Sequence, residues 1–335
     1  MGRPIREEDG AEEKGILFAN GHIWKQHRRF SLKILRNLGL GRKSLEYQIQ
    51  EEAKHLVDFF ISKKGKPTNP SFPISHSVSN VISTMVFGHR FSDDDERFKE
   101  LIAAVNFMFD FLPSFSRIAY DLFPRLMHLL PGPQQKAFFC MVQGHTFIKE
   151  EIRSHGKTRD PVDPQDYIDY YLDQIEKSKD DPISTFDEEN LIHTVMDFFA
   201  AGTKTTSVTL LWALLYMTAY PNIQEQVQKE IQGVATPSHK FCYEDRKKLP
   251  YTNAVIHEIQ RFAGGHRVCL GERLAKVELF IFFTSLLQTF KFQPPEGTKV
   301  NIEPVIGGMA IIPRPYEICA IPHEIYRGRN LLEAG

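Results

Sequence analysis

Between Asp187 and Pro221 the chain reads DEENLIHTVMDFFAAGTKTTSVTLLWALLYMTAYP. An acidic first turn, a long proline-free run and a proline stop specify one very long helix. The same 3.6-residue periodicity recurs along most of the chain. HIWKQHRRFSLKILRNLG sets Trp24, Phe30, Leu32, Ile34 and Leu35 among basic residues and stops at a glycine. LEYQIQEEAKHLVDFFISKKG, SHSVSNVISTMVFG, DERFKELIAAVNFMFDFL and QQKAFFCMVQGHTFIKEEIRSHG are helical by the same rule. Pro131 and Pro133 mark a loop between helices, and PVDPQDYIDYYLDQIEKSKDDPISTF joins a short helix to an acidic turn. NIQEQVQKEIQGV, LPYTNAVIHEIQRF and ERLAKVELFIFFTSLLQTF add three more helices, before β-like pieces in VNIEPVIGGMAIIP and YEICAIP. No internal repeat interrupts this order. The expected class is mainly α with a small β component.

Composition narrows the function classes. Of 335 residues, 42% are hydrophobic and 25% charged, enough apolar content for a buried core. The formal net charge of -1 provides no global pull toward nucleic acid. Cys140, Cys242, Cys269 and Cys319 lie far apart with no CxxC pair, against a disulfide framework or zinc knuckle and in favour of a reducing compartment. The polar start, MGRPIREEDGAEEKG, has neither a signal-peptide core nor a myristoylation pattern. The densest apolar runs, LLWALLYM and LFIFFTSLL, fall short of the ~20 residues needed to cross a bilayer, so a soluble chain is expected.

Four short motifs carry chemistry. Cys269 follows Gly265 and Arg267, precedes Gly271, and opens a helix. A helix dipole and an adjacent cation stabilise a thiolate, and the glycines let a flat ligand approach the sulfur. Such a thiolate suits an axial ligand of haem iron. A buried inert cysteine is the plain alternative, while a nucleophile based on His266 or a zinc site has little support in the spacing. FFAAGTKTTSVT places Gly202 and several threonines inside the long helix. Either the helix opens there and Thr205 faces a ligand, or small residues permit a close helix crossing. Glu258 and Arg261 are spaced for an intrahelical ion pair, ordinarily a solvated one. Trp24 and Arg28 share a helix face and could clamp a carboxylate, or simply form a basic surface helix with one aromatic.

In combination these motifs resemble the cytochrome P450 monooxygenases. The order is Trp24-x3-Arg28, Ala201-Gly202-x2-Thr205, Glu258-x2-Arg261, then Phe262-x2-Gly265-x-Arg267-x-Cys269-x-Gly271. The last is the family's specific haem-binding signature, and the intervening wording is most similar to family 2, J subfamily, from about Gly15 to Pro322. The resemblance implies a single P450 domain over 15–322, with polar segments at 1–14 and 323–335. It implies haem as cofactor, with Cys269 as the proximal ligand and Trp24, Arg28 and Arg267 on the propionates. Thr205 would assist protonation of iron-bound dioxygen, Glu258 and Arg261 would form a structural ion pair, and Phe262 would pack near the cysteine loop. The expected reaction inserts one oxygen atom into a lipophilic substrate, a fatty acid such as arachidonate or a xenobiotic. Electrons would come from NADPH–cytochrome P450 reductase, with cytochrome b5 as a further partner, at the cytoplasmic face of the endoplasmic reticulum membrane. No nucleic-acid partner is expected.

Three departures from the family pattern accompany the likeness. Lys204 occupies the position of an acidic residue before the oxygen-handling threonine. The N-terminal anchor is not in the sequence, which makes the cytosol the alternative location. Only seven residues separate Arg261 from Cys269, a link of at most roughly 28 Å, where the family carries a long segment. A shortened, inactive isoform that binds haem weakly or sequesters reductase through Lys25, Arg28, Arg29 and Lys33 is therefore the alternative function.

Overall fold

The computed structural model describes residues 14–40, 43–236, 238–261, 269–305 and 311–327. Helices α1 (Gly21–Asn37), α2 (Lys43–Ser62), α3 (Ser71–Phe87) and α4 (Glu96–Phe111) come first. Two short helices, α5 (Phe115–Leu122) and α6 (Pro124–Leu129), lead into α7 (Pro133–Thr158) and α8 (Tyr167–Lys177). The long α9 (Glu188–Ala219) precedes α10 (Pro221–Val234), a 3-10 turn at Tyr243–Lys248, and α11 (Pro250–Arg261). Helix α12 (Glu272–Thr289) runs into β1 (Phe290–Gln293), followed by β2 (Pro304–Val305), β3 (Ile312–Pro313), β4 (Cys319–Pro322) and α13 (Glu324–Arg327).

Local chemistry sets many of these limits. The side chains of Asp95, Ser114 and Asp166 accept the backbone N–H groups of Phe98, Arg117 and Asp169, capping α4, α5 and α8. Pro124, Pro133 and Pro221 occupy the first turns of α6, α7 and α10, where a missing N–H is tolerated.

The chain divides into two compact units. One holds the segment up to Leu40 and Ser79–Lys204; the other holds Gly41–Val78, Thr205–Ile306 and the stretch from Ala310. Helices α3 and α9 thus contribute to both. In the first unit Phe87, Phe91, Phe98, Phe147 and Phe199 form an aromatic core, with Phe91 stacked on Phe98 at 4.4 Å. In the second, α2 and α10 pack on α12, and β1 pairs antiparallel with β4. Phe290 and Phe292 alternate inward from β1 while Lys291 and Gln293 face out. Buried Gln224 and Gln228 of α10 donate to the Phe292 and Phe290 carbonyls at 2.9 and 2.8 Å, so this sheet is tied to a helix on one side.

Some expectations are corrected. Phe290, assigned by periodicity to the end of a helix, leaves it with extended backbone and begins β1. Helices α5 and α6 escape the periodicity rule because their apolar side chains are exposed, as at Phe115, Leu122, Phe123 and Leu129. Helix α9 is long and apolar enough to cross a membrane by length and composition, although no single apolar run within it is. Its most apolar window is 67% buried inside the protein, which is the character of a core helix.

Candidate functional site

Cys269 stands just ahead of α12. Gly271 is the N-cap, its carbonyl accepting Ala275 N–H at 2.9 Å, and Glu272 N–H points to the Cys269 carbonyl at 3.5 Å. The thiol is exposed, and a Cβ at Gly271 would lie 3.9 Å from Sγ, an ordinary van der Waals contact. The other cysteines are occupied differently. Cys140 and Cys319 are buried, and burial pushes their thiols up. Cys242 donates to Asp245 Oδ2 at 3.3 Å, and burial together with that carboxylate raises its thiol as well. Phe262, Gly265 and Arg267 lie outside the described residues.

Helix α9 does not open at its glycine. A Cβ at Gly202 would meet Ile82 Cδ1 at 2.5 Å, so the glycine is a notch that receives α3. Beside it Ser79 Oγ donates to Thr203 Oγ1 at 3.1 Å across the same crossing. The close-crossing reading therefore holds at Gly202. Thr205 is exposed, and its carbonyl accepts the Thr209 hydroxyl at 2.9 Å. Lys204 turns toward α4, donating to Asn106 Oδ1 at 2.9 Å with Asp110 Oδ1 4.0 Å away. Its burial lowers the ammonium pKa, against the pull of Asp110.

One buried pair near Thr205 escaped the motif reading. Thr206 donates to Glu278 Oε2 of α12 at 3.2 Å, and burial pushes that carboxyl up to about 8. The signal was present: Glu278 is the lone acid in VELFIFF. What periodicity did not supply was its partner. A narrow cleft nearby, lined by Thr209, Leu210, Ile256, Ile259, Leu279 and Phe283, has about 180 Å³ of empty space. That is below the ~300 Å³ of a small-molecule site, so it is a gap in packing.

The remaining motif residues are placed as pairs. Arg261 Nη2 donates to Glu258 Oε1 at 2.6 Å, with both side chains more than half exposed. The Arg28 guanidinium carbon lies 5.6 Å from the centre of the Trp24 ring, a cation–π contact on one face of α1. Trp24 and Arg28 belong to the first unit; Thr205, Glu258, Arg261 and Cys269 belong to the second.

The fold is mainly helical and sets one exposed thiol, Cys269, at the start of a helix. The chain belongs to the cytochrome P450 family: the family profile "Cytochrome P450" matches residues 4–264 and 262–320. Mouse cytochrome P450 2J5 and human cytochrome P450 2J2 are each 37% identical over 388 aligned positions, covering 95% of this chain and 77% of the relative. Mouse cytochrome P450 2F2 is 34% identical over 378 positions, covering 91% and 77%. The two profile matches meet at 262–264, in the stretch of sequence between the end of α11 and Cys269. Alignments of 388 positions exceed the 335 residues of the chain, so those relatives carry residues that it lacks.

The family's members are monooxygenases that act on lipophilic substrates with haem held by a cysteine thiolate. The donor chemistry here fits that group. Cys269 offers an accessible soft ligand, and α12 offers its N-terminal dipole beside it.

Proposed function

We propose that this chain is a haem-thiolate monooxygenase in which Cys269 ligates the iron. The exposed Cys269 thiol at the N-terminus of α12 carries the reading. Trp24, Arg28 and Arg267 would hold the propionates, and Gly265, Gly271 and Phe262 would shape the loop around the sulfur. When bound, haem supplies the activation of dioxygen for insertion of one oxygen atom. The N-terminal end of α12 lies beside the sulfur, where a helix dipole suits an anionic ligand. Thr205, exposed on α9, would hand on a proton, while the ammonium of Lys204 is engaged by Asn106. The Glu258–Arg261 pair holds the last turn of α11, directly before the junction.

The substrate is proposed to be a fatty acid such as arachidonate, or a lipophilic xenobiotic. Electrons are supplied by NADPH–cytochrome P450 reductase, with cytochrome b5 as a second donor. The cytoplasmic face of the endoplasmic reticulum membrane is the proposed location. Phe115, Ile118, Leu122, Leu126 and Leu129 of α5 and α6, with Phe123 between the two helices, support it, because exposed apolar side chains on short helices suit a lipid interface.

A second reading is favoured by the junction at 262–264 and the surplus length of the relatives. In it the chain keeps the haem motifs without turnover, binding haem or reductase alone. One spectrum separates the two readings. Expressed with a haem supply, the reduced, carbon-monoxide-bound chain should show a thiolate-type Soret band that Cys269→Ala abolishes. Soluble protein without that band would reject the monooxygenase reading.

A further inference from the structure

The end of α7 and the first turn of α8 bring three ligating side chains together within the first unit. His155, Asp166 and Asp169 each offer one donor atom, and those atoms lie within 4.8 Å of one another. Water is largely excluded: the side chains of His155 and Asp166 are 12% and 5% exposed, and Asp169 is 6% exposed.

Capping accounts for only part of this cluster. Asp166 Oδ1 accepts Asp169 N–H at 2.9 Å and caps α8, while its Oδ2 lies 2.9 Å from His155 Nε2. His155 Nδ1 lies 2.7 Å from the Glu151 carbonyl, which makes Nδ1 the donor there and aims Nε2 at the carboxylates. Asp169 Oδ2 accepts Gln165 N–H at 3.2 Å. Its other oxygen, Oδ1, is buried with no hydrogen-bond partner among the described residues. A buried carboxylate oxygen left this way costs free energy that the cap at Asp166 does not return. Something in that space should answer it.

We propose that His155, Asp166 and Asp169 form a binding site for a zinc-like divalent metal ion, with Nε2 and one oxygen from each carboxylate as ligands. One imidazole and two carboxylates with an open fourth position is a donor set that zinc accepts. The nitrogen ligand disfavours magnesium and calcium, which take oxygen. Two ligands at ~2.0–2.1 Å on a tetrahedral ion stand roughly 3.4 Å apart. His155 Nε2 and Asp166 Oδ2 stand 2.9 Å apart and no pair of donor atoms exceeds 4.8 Å, so small side-chain shifts would close the site. The contact of His155 Nε2 with Asp166 would be exchanged for the metal, and Asp169 Oδ1 would gain a partner. Arg159 is paired with Glu176 through Nη2, its charge also acts on the Asp169 carboxylate, and the metal would have to displace that influence; His89 faces Glu151 at 3.7 Å. The His155 to Glu151 carbonyl bond is the outer contact that metal-bound histidines usually make.

The test is isothermal titration of the full chain with zinc chloride and, separately, magnesium chloride. A Cys269→Ser background keeps the exposed thiol from competing. The expectation is one saturable zinc equivalent and no magnesium binding. Asp169→Asn keeps the side-chain shape and the His155–Asp166 contact, so it should fold, with an unchanged far-ultraviolet circular dichroism spectrum. It should nonetheless weaken zinc binding at least about tenfold, as should His155→Gln. A folded chain with no saturable zinc site, or an Asp169→Asn variant that binds zinc as tightly as its parent, overturns the proposal.

Discussion

Thr206 of α9 donates its hydroxyl to Glu278 Oε2 of α12 across 3.2 Å, in a place where Glu278 is 1% exposed and its Oε1 has no hydrogen-bond partner among the described residues. Removing a carboxyl group from water favours its neutral form. The pair therefore joins two core helices through an acid that holds its proton at neutral pH.

Stability should fall with pH because of that acid. Burial raises the folded-state pKa of Glu278 from an ordinary 4.5 to about 8. Below about 4.5 the folded and unfolded chains both hold the proton, and the contribution is fully present. Above it the unfolded chain ionises first, so stability is lost progressively until the folded group also titrates near 8. Urea midpoints measured across this window should decline in the wild type. In Glu278→Gln, neutral at every pH, that part of the decline should vanish. An equal slope in both proteins would refute the assignment.

The notch at Gly202 should reveal itself by coupling. An alanine Cβ there would come within 2.5 Å of Ile82 Cδ1. Overpacking of this kind costs about 1–3 kcal/mol, opposed by the ~1 kcal/mol that alanine gains over glycine in a helix. Gly202→Ala should be destabilising alone and milder on an Ile82→Val background, read as a double-mutant cycle in denaturant. Additive effects would contradict the crossing.

Asp197 should hold the segment before α1 against α9. Its Oδ2 accepts the N–H groups of Ile16 and Leu17 at 2.6 and 2.9 Å, and Asn190 Oδ1 accepts that of Gly15 at 3.2 Å. Gly15 has a φ of +79°, and a Cβ there would stand 2.5 Å from Asp197 Oδ2, so only glycine fits. Asp197→Ala strands two backbone donors and should cost about 2–3 kcal/mol. Limited proteolysis should then cut ahead of α1 in the variant before it does so in the wild type. Matching digestion patterns would argue that the segment is held by other contacts.

The exposed apolar side chains of α5 and α6 should act at a lipid surface. Leu122, Phe123, Leu126 and Leu129 are 67%, 62%, 56% and 79% exposed. Replacing all four with serine should weaken co-sedimentation with phosphatidylcholine vesicles more than about tenfold, given ~1.5–3 kcal/mol for each such side chain fully buried. The same variant should keep its helical circular dichroism, since these side chains contribute little to the core. Undiminished sedimentation would remove the membrane role from this surface.

Legibility in the sequence followed the range of the forces involved. Helix α4 was expected over DERFKELIAAVNFMFDFL and occupies Glu96–Phe111, because Asp95 caps it locally and Pro113 follows it. The helix start after Cys269 was legible for a similar reason, since Cys269, Gly271 and the first turn of α12 are neighbours in the chain. Helices α5 and α6 were not, because periodicity reports a buried face and theirs is exposed. Nor was the Glu278–Thr206 pair, whose members are 72 residues apart.

By itself, then, the sequence determined the helical class, most helix limits, and the position of one thiol at a helix start. These depend on backbone hydrogen bonds, caps and dipoles that act over a few residues. Only the tertiary structure decided that Gly202 receives Ile82, that Lys204 turns to Asn106, and that Glu278 is sealed from water. Packing and desolvation depend on atoms brought from distant parts of the chain, so no local pattern specifies them.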